Sequence, residues 1–342
     1  MASKIKRLLL CSAAGLLYYT GMLSVRQFVR QRFLRKNEIC VLGLHRILSD
    51  EQRQRANSLG GIVMREATFT RLLEFLDRHY SVVSLDGFLQ SMRQPHGGPK
   101  PLCLITFDDG WRDNYLTALP CLRAFRMPAV IFVVTGFIGR NRIFWVERLR
   151  TIWQRRELRE QIHSSLNRIG NFATPSTSFE EIVEHLKHMP AAQRDQILAE
   201  GLALPSGDSG CNGDAMLSWD EAALLQKEGV DIEAHTVSHP LLVYEDDPTV
   251  ERELAQAKAI LEEKLKKKVR AFAYPNGSWN QRVRDLVEVA GYDCAFTTER
   301  GWHRVGDDAY AIRRIMLHEE KLAGLDGQFS PAVAALRLTG WV

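Results

Sequence analysis

The stretch LITFDDGWRDNY, Leu104 to Tyr115, sets two adjacent carboxylates at the end of a strand-forming run and directly before a glycine. Leu102, Leu104, Ile105 and Phe107 read as a short, mostly buried strand, so Asp108 and Asp109 fall at its C-terminal end. Asp-Gly is also a common turn pair, because it tolerates the dihedrals of a tight reversal. A turn leaves the doubling unexplained, since two carboxylates a few ångströms apart repel and raise one another's pKa unless a cation lies between them. The partner of this acid pair has to come from elsewhere in the chain.

Outward from that strand the chain has a regular rhythm. Strands are expected at Ile39–Leu44, Ser81–Leu85, Leu102–Phe107, Ala129–Val134, Val230–Ala234, Val269–Tyr274, Ala295–Thr298 and Ala311–Leu317, with amphipathic helices between many of them. Ser218 and Glu221 form a capping box ahead of a helix that Gly229 closes. Asp247 and Pro248 open another, in which Leu254, Ala257, Leu261 and Leu265 recur at helical spacing. Strand and helix alternating this often gives a parallel α/β sheet, either open or closed into a barrel. A block from about Asn141 to Met216 breaks the rhythm, amphipathic and helical at first and then a polar loop, PSGDSGCNGDA. It reads as an insertion on the rim, not as a separate domain.

The 342 residues are 45% apolar, enough to fill a core, and the net charge of +4 is mildly basic. No arginine-rich arm, zinc-finger spacing or basic stripe with interleaved aromatics is present, which argues against nucleic acid as a partner. The six cysteines are scattered without a CxxC pair and define neither a disulfide framework nor a zinc knuckle. Leu8 to Val25 carries no charge, and its 18 residues as a helix would span about 27 Å, close to the ~30 Å hydrocarbon core of a bilayer. Residues 1–36 are therefore expected to be an uncleaved membrane anchor with a basic juxtamembrane segment, ahead of a body from 37 to 342 attached to the cell membrane on a side that basic residues at both flanks leave open. A secretory signal and a merely buried helix are the rivals.

The second polar constellation is DIEAHTVSHP, Asp231 to Pro240. His235 and His239 are four residues apart, a spacing that puts two imidazoles on one face of a helical turn within reach of one ion. In parallel α/β architectures the C-terminal strand ends converge on one face, and Asp108, Asp109, His235 and His239 all sit at such ends. Two histidines and one carboxylate make a standard divalent-metal set with positions open for water, and the second carboxylate can then act as a general base.

At these residues the chain resembles the NodB-homology polysaccharide deacetylases, carbohydrate esterase family 4. TFDDG and HTVSH resemble the first two motifs of that family, CVLGLHRI its opening strand, FAYPNG its third motif and AYAIRRIML its late strand, over Glu38 to the C-terminus. The resemblance implies a distorted (β/α)7-type barrel and hydrolysis of an N-acetyl group from an amino sugar. It further implies Asp109, His235 and His239 as ligands of a divalent ion, with Zn, Co and Ni all suited to the set, and Asp108 as the base. A backbone N–H near Tyr274 would stabilise the oxyanion, and His318 would protonate the leaving amine. The match departs from the family at His318, which follows Leu317 directly, and at Ala273, where many members carry an arginine. Arg314 is the candidate to orient the base in its place. His45 ends the first strand and is expected to face the site. Tyr274, Pro275, Asn276 and Gly277 are expected to form a groove wall, and Trp279 or Trp302 offers a stacking surface for a sugar. The competing readings are a hydrolase of a formamide on a lipid-linked sugar or of a small cyclic amide, and an inactive carbohydrate-binding envelope protein.

Overall fold

The computed structural model describes residues 2–23, 25, 38–56, 58–94, 98–140, 142, 144–154, 159–160, 162–164, 167, 178–200 and 215–339. The basic residues Arg26 to Lys36, and all but the last residue of the loop PSGDSGCNGDA, lie outside them. The described strands are β1 (Glu38–Leu44), β2 (Arg46–Leu48), β3 (Val63–Arg65), β4 (Ser81–Val82), β5 (Leu102–Phe107), β6 (Ala129–Val133), β7 (Val230–Ala234), β8 (Ala271–Ala273), β9 (Cys294–Arg300), β10 (His303–Arg304) and β11 (Ile312–Met316). β5, β6, β7, β8, β9, β11 and β1 pair in that order, every pair parallel, and β1 pairs back onto β5 with Ile39 opposite Leu102 and Leu44 opposite Phe107. Seven parallel strands thus close a barrel. The strand pattern alone left open and closed sheets as alternatives, and the closure is the (β/α)7-type barrel that the family resemblance implies.

All the expected strands form, though Val269–Tyr274 narrows to the three residues of β8 and Ser81–Leu85 is much reduced. Ser81–Leu85 shrinks to β4 because the Ser84 hydroxyl accepts from Gly87 N at 3.2 Å and starts the helix Leu85–Arg93. Alternation along each strand separates two layers. Ile39, Val41, Leu102, Leu104, Val130, Phe132, Phe296 and Ile312 fill the barrel interior, whereas Cys40, Cys103, Ile105, Phe107 and Ile232 pack outward against helices. Leu85, Phe88 and Leu89 join the interior cluster, and the Phe88 ring lies 5.6 Å from Phe296 and 6.3 Å from His303, beside the start of β1. The helix Leu85–Arg93 therefore floors the barrel at its N-terminal end. At the opposite end the same inward parity runs Leu102, Leu104, Thr106, Asp108, so apolar filling gives way to a carboxylate at the mouth.

The described part of the insertion is helical, with helices Trp145–Trp153, Phe179–Lys187 and Ala191–Glu200 around a small cluster that includes Leu149, Ile162, Ile182, Leu186 and Ile197.

The spanning anchor is not supported. The helix Ala2–Tyr19 takes Lys4, Lys6 and Arg7 into its first turns, and Gly21, at φ 76°, stops it by adopting the left-handed region. Only twelve residues of the apolar run, Leu8 to Tyr19, stay in that helix, about 18 Å of rise against the ~30 Å needed. Among the described residues no helix is long and apolar enough to cross a membrane. The helix instead lies on the body: Ala14 is buried, as is Leu23 just beyond the helix, and Arg7 Nη2 donates to Gly324 O at 2.6 Å.

Candidate metal centre

Asp108 leaves β5 with its amide donating to Leu44 O of β1 at 2.9 Å. Asp109 and Gly110 follow at φ 79° and 82°, two left-handed residues in succession. Regular alternation would have turned Asp109 out of the barrel. The reversal brings it back over the mouth, a conformation that costs an aspartate little and that the following glycine adopts freely.

His235 continues β7, its amide donating to Val133 O at 3.0 Å, and its Nδ1 lies 2.7 Å from Ala273 O. A carbonyl only accepts, so Nδ1 carries the proton and Nε2 presents a lone pair. The expected helical turn does not form between the two histidines. Thr236 and His239 have φ 68° and 62°, and the segment is a loop in which His239 N donates to Thr236 Oγ1 at 2.9 Å. Pro240 and two left-handed residues preclude a helix, yet the loop still aims both rings at one point. Glu253, from the helix Asp247–Leu265, holds that loop: Val237 N and Ser238 N donate to its Oε2 at 2.7 and 2.9 Å, and Ser238 Oγ donates to Oε1 at 2.6 Å.

His235 Nε2 and His239 Nε2 are 3.2 Å apart, and Asp109 Oδ1 lies 3.7 and 3.6 Å from them. Ligand atoms of a tetrahedral site with bonds of about 2.1 Å are about 3.4 Å apart. The three groups thus fit a zinc-like ion, and they alone among the described residues form such a cluster. Burial, reinforced by neighbouring His235, pushes the His239 imidazole down to about 3, and burial lowers His235 as well against the pull of Asp108 and Asp109. Neutral imidazoles are the form that binds metal. The His235 Nε2 lone pair, the neighbouring His239 Nε2 and the Asp109 carboxylate beside them are an arrangement that a cation completes.

Asp108 does not join that triangle. Burial alone would push its carboxyl up, but Arg314 overrides this and, with His235 and His45 nearby, holds it well below the usual carboxylate range. The guanidinium is fully buried in β11 and bidentate: Nη1 donates to Oδ1 and Nη2 to Oδ2, each at 2.7 Å. It is itself fixed by Thr297 O, at 2.7 Å from Nε, and by Thr106 Oγ1, at 3.1 Å from Nη1. The two acids of the opening stretch thus have separate partners, one a protein cation and the other the histidine pair.

His45 follows β1, and its imidazole is within electrostatic reach of both Asp108 and His318. His318 lies just beyond β11 and caps the helix Glu319–Leu322; its Nδ1 is sealed from solvent without a partner, while Nε2 is not sealed. Burial, then Lys321 and Arg337, lower its pKa. Tyr274 is fully buried: its hydroxyl donates to Tyr310 O at 2.9 Å and its amide to Phe296 O at 3.0 Å, so neither its ring nor its own N–H is presented to a groove. Of the third motif only Asn276 is exposed, at φ 57°, with Pro275 and Gly277 buried beside it. A Cβ at Gly277, φ 70°, would overlap the Thr298 amide, which explains the glycine. Trp302 is buried with Nε1 donating to Leu338 O, and Trp279 donates to Glu299 Oε1; Trp302 offers no stacking face.

Three further groups act on the site without having been singled out from the sequence. Trp111 is fully buried and its Nε1 donates to Asp109 Oδ2 at 2.9 Å, leaving Oδ1 toward the histidines. Arg46 lies 4.2 Å over the Trp111 ring and is anchored by Asp113 Oδ2 at 2.8 Å. Phe144, at the start of the insertion, meets the His239 ring edge-on at 5.0 Å, and Arg112 N and Leu217 N suture the end of the insertion to the Asp-Asp-Gly loop through bonds with Ala215 O and Gly110 O at 2.9 and 3.0 Å. The sequence signal for Trp111 was its place two residues after Asp109. Nothing local marked Glu253 or Phe144.

The polysaccharide deacetylase family profile matches residues 96–295, which include both acids and both histidines. The chain is 22% identical over 218 residues to the protein YxkH of Bacillus subtilis (strain 168), covering 64% of this chain and spanning about half, 52%, of that protein. Two solved structures share the fold: IcaB from Ammonifex degensii, at TM-score 0.57 and 19% identity over 89% of this chain and 98% of that one, and the Streptococcus pyogenes deacetylase PplD in complex with acetate, at TM-score 0.55 and 19% identity over 83% and 94%. With the profile match covering more than half of its length, the chain belongs to the polysaccharide deacetylase family.

Proposed function

We propose that this protein removes N-acetyl groups from amino sugars of a polysaccharide or lipid-linked glycan, releasing acetate and a free amine, with a divalent ion held by Asp109, His235 and His239. The observation that carries the reading is the separation of the paired acids: Asp109 Oδ1 turns to the two imidazoles while Arg314 keeps its neighbour Asp108 ionised. A divalent ion bound there would polarise the acetamide oxygen and acidify a water. Asp108, with a free lone pair on each oxygen beyond its bonds to Arg314, is the group that accepts the proton of the attacking water. Arg314 supplies no proton; it fixes the carboxylate's plane and charge. His318, whose Nε2 is the open ring nitrogen, is assigned to hand a proton to the leaving amine. Trp111 and the Ala273 carbonyl orient Asp109 and His235 and so preset the donor atoms.

The test is acetate release from N-acetylated glycans by the full chain, with and without chelator, alongside Asp108→Asn. Chelator-sensitive acetate release, with an Asp108→Asn protein that binds zinc but does not turn over, supports the reading. Release of formate or of a ring-opened acid replaces it with hydrolysis of another amide, and a protein that binds glycan but not metal replaces it with a binding role.

A further inference from the structure

The N-terminal helix Ala2–Tyr19 is apolar on two opposite faces. At about 100° per residue, Leu10, Cys11, Ala14, Leu17 and Tyr18 point one way, and these pack on the body beside the C-terminal helix Pro331–Leu338. Ile5, Leu8, Leu9, Leu16 and Tyr19 lie within about 60° of the opposite direction and are 50–80% exposed. An exposed apolar stripe of this kind, interrupted by Ser12, marks a binding surface.

Charge says what covers it. Eight of the 45 basic residues and none of the 41 acidic ones precede Glu38, so the first 37 residues carry a formal +8 and the rest of the chain −4. Basic side chains also gather around Arg337 beside the helix, with Glu320 the carboxylate that acts on Lys321. Arg300, Lys321 and Arg337 repel one another and Arg337 is within electrostatic reach of Cys11, while no carboxylate forms an ion pair with any of the three among the described residues. Arg337 Nε is buried without a partner. A basic flank beside an apolar stripe is complementary to an anionic lipid surface, whose headgroups take the cations while the side chains enter the acyl boundary. A second copy of the chain would bring the same positive charges face to face.

We propose that the outer face of this helix lies in the plane of an anionic membrane, docking the protein peripherally without spanning, with Lys6, Arg300, Lys321 and Arg337 on the headgroups. Lys321 and Arg337 are also within electrostatic reach of His318, so this surface adjoins the catalytic rim.

The experiment is flotation of the full chain with vesicles of phosphatidylcholine containing about a quarter phosphatidylglycerol, against pure phosphatidylcholine. Binding to the anionic vesicles, weakened by salt, is expected. Replacing Leu8, Leu9 and Leu16 by Gln, which keeps helix propensity, should lower partitioning by about a hundredfold with melting temperature and metal binding unchanged. Arg300→Gln/Lys321→Gln should flatten the salt dependence. Extraction of bound protein by alkaline carbonate is expected. Equal binding of the triple variant, no preference for anionic vesicles, resistance to carbonate extraction, or a dimer in sedimentation velocity that the triple variant disperses would each overturn the proposal.

Discussion

Replacing Arg314 by methionine tests whether the acid pair is split as described. The guanidinium is fully buried, and the Asp108 side chain that it grips through two bonds of 2.7 Å is 4% exposed. Methionine fills much of the volume and brings no charge, which leaves Asp108 as an unpaired buried anion at a cost of about 3–5 kcal/mol. Loss of the bonds to Thr297 O and Thr106 Oγ1 adds about 1 kcal/mol each. Adding Asp108→Asn removes the stranded charge, so the Arg314→Met/Asp108→Asn protein should regain about 2–4 kcal/mol over Arg314→Met alone. The pH dependence has a definite sign. In the parent the folded-state pKa of Asp108 is depressed, so the pair's contribution is present above the unfolded value near about 3.9 and is lost as pH falls through the folded one. In Arg314→Met burial raises the folded pKa instead, and stability falls as pH rises from the unfolded value toward the raised one. The deficit relative to the parent should therefore be small in acid and grow toward neutrality. Urea unfolding across pH, with chelator present so that metal does not contribute, measures it. A neutral-pH loss under about 1 kcal/mol, or a double variant less stable than the single one, would refute the argument that Arg314 is what keeps Asp108 ionised.

Trp111→Phe keeps the packing beneath Arg46 but removes the donor to Asp109 Oδ2, so zinc affinity measured by chelator competition should fall about 10–100-fold with the melting temperature close to the parent's. Glu253→Gln weakens the clamp on the loop between the histidines and should lower both stability, by about 1–3 kcal/mol in urea, and metal affinity, because both left-handed residues of that loop depend on it. Gly277→Ala meets the Thr298 amide in a left-handed conformation and should cost about 2 kcal/mol or more by thermal unfolding. If His318 donates the proton, its burial and the neighbouring Lys321 place the alkaline limb of kcat/KM below the ordinary histidine value, and His318→Asn should abolish that limb; an unmoved limb reassigns the acid.

The barrel strands were legible because each is an apolar run bounded by helix punctuation, and Asp108, Asp109, His235 and His239 because they end such runs. What sequence spacing misjudged was the local backbone. The interval from His235 to His239 matches a helical turn, but left-handed Thr236 and His239 bring the rings together through a loop. Likewise the uncharged run Leu8–Val25 has the length of a membrane span, yet Gly21 ends the helix and one of its faces packs on the body. Glu253, Trp111 and Phe144 stayed hidden because their roles arise from tertiary neighbours, most of them far along the chain. Arg314 was singled out as the end of the segment AIRR, and it meets Asp108 from β11.

The floor made by Leu85, Phe88 and Leu89 gives the barrel one open end. On the proposed reaction, the small acid released beside Asp108 would have no exit through the packed interior and would leave past the insertion. Turnover would then be ordered by traffic at a single doorway, so added acetate should compete with incoming substrate.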